Sequence, residues 1–171
     1  TEAIQKSSQV AIAKVALDLP RDAVFDVLKR SGLGDYVGTG LPGEVTGLFS
    51  NVGMQSRVSR TAMAYGYGFT VTPLQLASAY VALAGHGSRL PLSILKQDRV
   101  PEPQQVFDAD DSREVIAMME RVTQQGGTAT NADIDDYRVA GKTGTARVLE
   151  NGRYNDERHV AWFAGLAPVS D

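Results

Sequence analysis

Hydrophobic spacing changes period along this chain, and that change constrains the fold more than any other feature. Ahead of Gly126 most apolar residues recur at helical intervals; beyond Tyr137 they follow the two-residue period of a strand. Val10, Ala13 and Leu17, with Ile12, Ala16 and Leu19, predict a helix over Val10 to Leu19. A shorter helix follows Pro20, carrying Val24, Phe25, Val27 and Leu28 and stopping near Gly32. Thr72-Pro73-Leu74-Gln75 marks the clearest helix start. Thr72 caps, Pro73 suits the first turn, Gln75 closes a capping box, and Gly85 ends the helix. Asp111-Ser112-Arg113-Glu114 opens another helix with its own capping box, carrying Val115, Met118, Met119 and Val122 until Gly126-Gly127 stops it. Leu90, Leu92 and Ile94 alternate and predict a strand over 89–97. Residues 32–56, with Leu41-Pro42-Gly43 and Gly53, lack a period and read as a long loop, a kind more often functional than idle. Tyr137 to Leu149 and His159 to Pro168 are β-rich and meet through Asn151-Gly152, a strong hairpin signal. Helices first and an antiparallel hairpin last predict an α+β fold rather than a doubly wound parallel sheet.

Composition narrows the functional classes. The chain has 171 residues, a length that buries roughly 70% of its unfolded surface. It is 43% hydrophobic and 22% charged, which excludes disorder, collagen and coiled coil as whole-chain readings. Lys and Arg number 17 against 20 Asp and Glu, for a net charge of −3, so the basic excess of a nucleic-acid binder is missing. There is no cysteine, which removes disulfides, thiolate nucleophiles and cysteine zinc sites. No apolar run reaches the roughly 18 residues of a membrane span. The chain opens on Thr1-Glu2 without a signal peptide, which suggests a processed product or a piece of a longer polypeptide.

The chemistry concentrates at Lys142-Thr143-Gly144-Thr145. Gly141-Lys142-Thr143 is not a phosphate loop. The first glycine of that motif would fall on Asp136, and the flanks read as strand rather than turn and helix. As a strand, alternation puts Lys142 and Gly144 on one face and Thr143 and Thr145 on the other. A glycine inside a strand weakens it unless something must approach the backbone, as a peptide laid along an edge strand does. Lysine offers a cation to a carboxylate and the threonines offer hydroxyls. Taken alone, such a tetrad is more often a solvated lysine among β-branched residues.

It is accompanied by Lys6-Ser7-Ser8-Gln9, Tyr65-Gly66-Tyr67-Gly68, Thr72-Pro73-Leu74-Gln75-Leu76-Ala77 and Phe163-Ala164-Gly165-Leu166-Ala167-Pro168. In this order the set resembles the transpeptidase domain of class B penicillin-binding proteins, of the cell-division (FtsI-type) branch. The stretch from Tyr137 to Ala146 carries it most strongly, and residues 98–135 are weakest. The resemblance implies part of a penicillin-binding, serine-transpeptidase fold, with residues 1–171 the C-terminal portion of a single transpeptidase domain. That family's site rests on S-x-x-K, S-x-N and K-[ST]-G. It makes Lys142-Thr143-Gly144 the third motif and Ser7-Ser8-Gln9 the second. Ser7 is then expected to relay protons between the nucleophile's lysine and the leaving nitrogen, with Lys142 lowering its pKa. Gln9, Thr143, Gly144 and Thr145 become substrate-binding residues. The two threonines hold a carboxylate, and the strand near Thr145 offers an oxyanion-hole N–H.

Two departures from the pattern matter. Gln9 stands where the family has Asn, and its amide reaches one methylene further. The S-x-x-K nucleophile should precede S-x-N, so it is expected on an N-terminal segment outside this chain. Ser93-Ile94-Leu95-Lys96 fits S-x-x-K, but it follows the second motif and reads as strand, which sends Ser93 and Lys96 to opposite faces. It is a decoy.

Other candidates carry less. His159 opens the strand paired with the Lys142 strand and could edge the cleft, although a surface role suits it better. His86 follows a helix end as a dipole partner. Trp162 and Phe163 suit packing, although one must face outward. Asp133, Asp135 and Asp136 lack the pattern of a calcium loop and read as a solvated loop, while Asp108, Asp110 and Asp111 suit helix capping.

The resemblance implies peptidoglycan cross-linking through a serine ester, with no metal or organic cofactor. The expected partners are a stem peptide ending in D-Ala-D-Ala, β-lactams, the N-terminal remainder and cell-division membrane proteins, and no nucleic acid. The expected location is the periplasmic side of the membrane, on an anchor outside this chain. A related D,D-carboxypeptidase or β-lactamase, a catalytically silent scaffold or β-lactam sensor, and a plain interaction domain are the alternatives.

Overall fold

The computed structural model describes residues 1–50, 56–150 and 152–169. In chain order the elements are α1 (Glu2–Gln5), α2 (Gln9–Asp18), α3 (Ala23–Arg30), α4 (Arg57–Ala64), α5 (Pro73–Ala84), β1 (Ser88–Arg89), β2 (Gln104–Gln105), α6 (Ala109–Thr123), a 3-10 turn at Thr130–Ala132, β3 (Ala140–Glu150) and β4 (Arg153–Leu166). Helices with antiparallel pairs make the chain α+β. Two compact units divide it: Gln9–Val115, and Thr1–Ser8 together with Ile116–Asp171.

In the Gln9–Val115 unit, α2 and α3 pack on α4. Arg60 ties two of them, its guanidinium donating to the carbonyls of Ala16 and Leu19, each at 2.9 Å, where α2 runs out of its own partners. The apolar stripe expected on α2 is only partly used: Ala16 is buried while Val10 is 68% exposed. The reason is local, since one small helix covers one side of α2. The capping box of α5 forms as its sequence predicts. Thr72 Oγ1 accepts from the Gln75 N–H at 3.1 Å, and Gln75 Oε1 accepts from the Thr72 N–H at 2.8 Å. Gln75 does more than cap. It is 1% exposed, and its Nε2 donates to the carbonyls of Asp35 (2.7 Å) and Thr46 (3.0 Å). One amide thus pins two points of the loop that follows α3. That loop has no regular element through residue 50, as expected; Gly53 lies outside the described residues. Phe49 anchors it by stacking on Phe25 at 4.9 Å and meeting Phe69 edge-on at 5.5 Å.

Two local expectations are corrected here, and one helix is added. The strand over 89–97 shrinks to Ser88–Arg89, paired with Gln104–Gln105. Pro91 has no N–H to give a ladder, and the chain bends after it. Accordingly Ser93 and Lys96 lie on neither strand nor helix, and Ser93 Oγ is engaged in its own turn by the Leu95 N–H at 3.1 Å. Helix α6 begins at Ala109 rather than Asp111 because Asp108 is the better cap: its carboxylate accepts from the N–H groups of Asp110 (2.7 Å) and Asp111 (3.2 Å). Helix α4, which sequence periodicity did not mark, is capped by Ser56, whose Oγ accepts from the Ser59 N–H at 3.0 Å.

In the other unit, the last turn of α6 supports the β3–β4 hairpin. Met119 and Val122 are buried with Val139 and Ala140, and Thr123 Oγ1 donates to the Val139 carbonyl at 2.7 Å. The hairpin pairs Ala140 with Leu166 through Arg147 with His159, then shifts register between Arg147 and Leu149, where Leu149 pairs with Tyr154 before the hairpin closes. β4 therefore starts at Arg153, earlier than the expected His159, and β3 starts at Ala140 rather than Tyr137. Gly152 takes φ +77° in the turn; Asn151, the other half of the expected turn signal, lies outside the described residues.

Candidate active site

Ser7 owes its position to the way α1 stops. Lys6 is the C-cap, the Ser7 N–H reaches the Ile4 carbonyl at 3.1 Å, and the Ser8 N–H reaches back to Ala3 at 2.8 Å. These two bonds form a Schellman motif with Ser7 in the left-handed position, φ +51°. Helices α3 and α4 end in the same motif with Gly32 and Gly66 at that position. Glycine adopts it without strain; a residue with a Cβ gives up about 1–2 kcal/mol. Strain of this kind gathers at functional positions, where the surroundings hold it.

Lys142 meets Ser7 from β3. Its Nζ donates to Ser7 Oγ at 2.5 Å and to the Thr143 carbonyl at 2.8 Å. The pair is 135 residues apart in sequence and within one compact unit. Desolvation of the partly buried ammonium pulls the Lys142 pKa below its ordinary value. Ser7 itself is exposed, so the lysine is partly withdrawn from water while the hydroxyl it touches faces outward.

The hydrogen bonds follow the alternation along β3. Lys142 turns to Ser7, whereas Thr143 Oγ1 shares a 2.9 Å hydrogen bond with Thr128 Oγ1. Thr145 is exposed and pairs with Ala161. Gly144 is exposed beside Trp162, and a Cβ there would come no closer than 3.9 Å to the Trp162 Cβ. Nothing in the fold requires glycine at 144 for space, so its effect is to leave the strand backbone uncovered. β3 pairs with β4 on one side only, and among the described residues no strand takes its other edge. Unpaired N–H and C=O groups there can receive an extended peptide.

The remaining sequence candidates sort by position. Gln9 is the first residue of α2 in the Gln9–Val115 unit, with its side chain exposed. His159 pairs with Arg147, five residues along β3 from Lys142, about 17 Å at strand rise, so it does not edge the Lys142 end of the hairpin. His86 holds the left-handed position after α5 (φ +52°), where Gly87 N–H closes on the Ala82 carbonyl at 2.8 Å. Its backbone, rather than its ring, ends that helix. Phe163 packs over Gly141 and Gly165, while Trp162 stands 46% exposed on the Lys142 side of the ladder. No cluster of three or more His, Asp or Glu side chains able to hold a metal occurs among the described residues. Nor is any helix among them long and apolar enough to cross a membrane.

Two contacts at this site escaped sequence reading. Lys6 Nζ donates to the Gly126 carbonyl at 2.7 Å, and Thr128 meets Thr143. Lys6 had a signal, its adjacency to Ser7. Thr128 had none, because its contact depends on where the turn after α6 falls.

Known proteins share the sequence and the fold of this chain. The penicillin binding protein transpeptidase domain matches residues 1–171. The peptidoglycan D,D-transpeptidase FtsI of Escherichia coli K12 is 42% identical over 171 residues, covering 99% of this chain. The "Probable peptidoglycan D,D-transpeptidase PenA" of Neisseria gonorrhoeae is 40% identical over 168 residues, covering 98%. The chain spans 29% of the length of each. The apo transpeptidase domain of Burkholderia pseudomallei penicillin-binding protein 3 superposes with a TM-score of 0.91 at 35% identity, over 97% of this chain and 51% of that one.

Proposed function

Because this chain belongs to the penicillin-binding protein transpeptidase domain family, we propose that it forms the Ser7 and Lys142 side of a serine D,D-transpeptidase that cross-links peptidoglycan. The observation that carries the proposal is the 2.5 Å hydrogen bond from Lys142 Nζ to Ser7 Oγ. The nucleophilic serine, with the lysine that activates it, belongs to an S-x-x-K segment N-terminal to this chain.

The chemistry is acyl transfer in two halves. The nucleophile's oxygen bonds to the penultimate D-Ala carbonyl carbon of a donor stem peptide, and the C–N bond to the terminal D-Ala breaks. The leaving nitrogen takes a proton from Ser7 Oγ, which is replenished from the nucleophile's lysine. An amine from a neighbouring stem then attacks the ester, the proton path reverses, and the serine is released. Lys142, as a cation against Ser7 Oγ, favours the transient alkoxide. Thr143 and Thr145 receive the donor's terminal carboxylate over the uncovered edge of β3, and an N–H near Thr145 joins the oxyanion hole. A β-lactam presents a carboxylate and a strained amide to the same groups and stays as the ester. The site faces the periplasm, with division proteins of the membrane as partners.

Gln9 favours one second reading, a silent scaffold or sensor, because its longer amide shifts the group that meets the substrate. Intact-mass measurement with a fluorescent penicillin separates an acylating site from a silent scaffold; a sensor is acylated too, but passes no acyl group to an amine acceptor. A protein carrying the S-x-x-K segment gains one penicillin mass and this chain alone gains none; absence of an adduct on the longer protein ends the enzymatic reading.

A further inference from the structure

Three hydrogen bonds close a ring around the Ser7–Lys142 pair. Lys142 Nζ reaches Ser7 Oγ at 2.5 Å. Thr143, next to Lys142, shares the 2.9 Å hydroxyl bond with Thr128. Two residues before Thr128, the Gly126 carbonyl accepts from Lys6 Nζ at 2.7 Å, and Lys6 leads back to Ser7. The turn joining these contacts is fixed. The Gly127 N–H bonds to Gln124 and the Ala129 N–H to Val122, each at 2.9 Å. A Cβ on Gly127 would stand 2.1 Å from the Val122 carbonyl oxygen, so that backbone is pressed against the end of α6.

We propose that Lys6 is a positioning residue: its ammonium, held on the Gly126 carbonyl, fixes the strained Ser7 at proton-transfer distance from Lys142. The inference rests on the reading of Ser7 and Lys142 as the proton-handling pair. Ser7 holds a left-handed φ of +51° that its Cβ opposes, so the short helix α1 alone supplies little restraint. Lys6 adds a charge-assisted bond to a carbonyl just beyond the end of α6, a location that favours a cation. Gln5 Nε2, at 3.5 Å from the Gln125 carbonyl, is a weaker second tie. The turn is itself tied to β3 through Thr128, so Lys6 sets Ser7 against the strand that carries Lys142. Severing Lys6 opens the ring while leaving every atom of Ser7, Lys142 and Thr143 in the protein.

The test uses a protein carrying the proposed S-x-x-K segment and follows acylation by a fluorescent penicillin, separating initial affinity from the acylation step. Lys6→Met is expected to slow the step about 10- to 100-fold, the range for a displacement near 1 Å, with initial affinity unchanged. Lys6→Arg, which keeps a cationic donor, restores most of the rate; a purely structural lesion would not separate affinity from rate in this way. Lys6 is exposed, so its removal leaves no cavity. Should Lys6→Met fail to fold, Lys6→Gln is read on the same two quantities. A wild-type acylation step in Lys6→Met, or a step in Lys6→Arg as slow as in Lys6→Met, overturns the proposal. Ser7→Ala tests the reading beneath it. A slow Ser7→Ala beside an unimpaired Lys6→Met removes only the anchor, whereas an unimpaired Ser7→Ala removes the proton-handling pair.

Discussion

Phe163 lays its ring over Gly141: a Cβ on that glycine would sit 2.4 Å from the ring's Cζ and 3.2 Å from the Ala164 carbonyl oxygen. Gly141 pairs with Gly165, where a Cβ would meet the same ring at 2.7 Å, so the two glycines form a bare rung covered by one aromatic side chain. This rung lies beside the Lys142–Ala164 pair and sets how that part of the hairpin is held. Gly141→Ala is expected to lower stability by about 1–3 kcal/mol, as overpacking does. Combined with Phe163→Ala, it should cost less than the sum of the two single changes in urea unfolding. Strict additivity would show that the ring is not what the new methyl meets.

Lys142 gives two pH dependences of opposite sign. Desolvation lowers its pKa in the folded chain, so the unfolded chain binds the proton more tightly. Its contribution to stability therefore improves as pH rises from the depressed value towards 10.5, the ordinary value. Under the proposed mechanism acylation needs the cation, so its rate should fall over that same window. Lys142→Arg keeps its charge there and should lose the alkaline limb. A pH–rate profile with the same limb in both proteins would detach the limb from Lys142.

Removing the cation outright is the harsher change. Lys142→Ala is expected to slow acylation by on the order of 100-fold or more, the scale of a lost proton-transfer assistant. Stopped-flow fluorescence with a penicillin reporter measures it, and an unchanged rate would take Lys142 out of the mechanism.

Gln9→Asn restores the family's residue type at the start of α2. Acylation should be preserved or raised. A marked loss in the same assay would mean that the longer amide serves a geometry of its own.

Gln75 is buried with both ends of its amide engaged. Gln75→Leu leaves the Asp35 and Thr46 carbonyls without their donor and should cost at least about 1–3 kcal/mol, the penalty for one orphaned group. Gln75→Glu turns a carboxylate oxygen towards those carbonyls and should cost more. Equal thermal shifts for the two variants would show that the carbonyl contacts do not matter.

Reading the chain in one dimension worked where interactions are local. The Thr72–Gln75 box, the stops after α3 and α6 and the alternation of Lys142 against Thr143 all depend on residues a few positions apart or on one hairpin. It failed at 89–97, where only Ser88 and Arg89 pair and the alternating Leu90, Leu92 and Ile94 have no partner across the ladder, and at the start of α6, where Asp108 outcompeted Asp111 as cap. Helix α4 was missed because its polar residues, Arg57, Ser59, Arg60 and Thr61, obscure the apolar period.

By itself, then, the sequence determined most of the element types, the hairpin and the presence of the Ser7-Ser8-Gln9 and Lys142-Thr143-Gly144 motifs, because capping, side-chain period and turn chemistry act over a few residues. Tertiary structure decided that Lys142 touches Ser7, that Gln75 holds two distant carbonyls, and that Lys6 and Thr128 tie the turn after α6 to either side of the pair. Those contacts depend on the packing of segments far apart in the chain, and no local preference of the residues concerned encodes where their partners will come to rest.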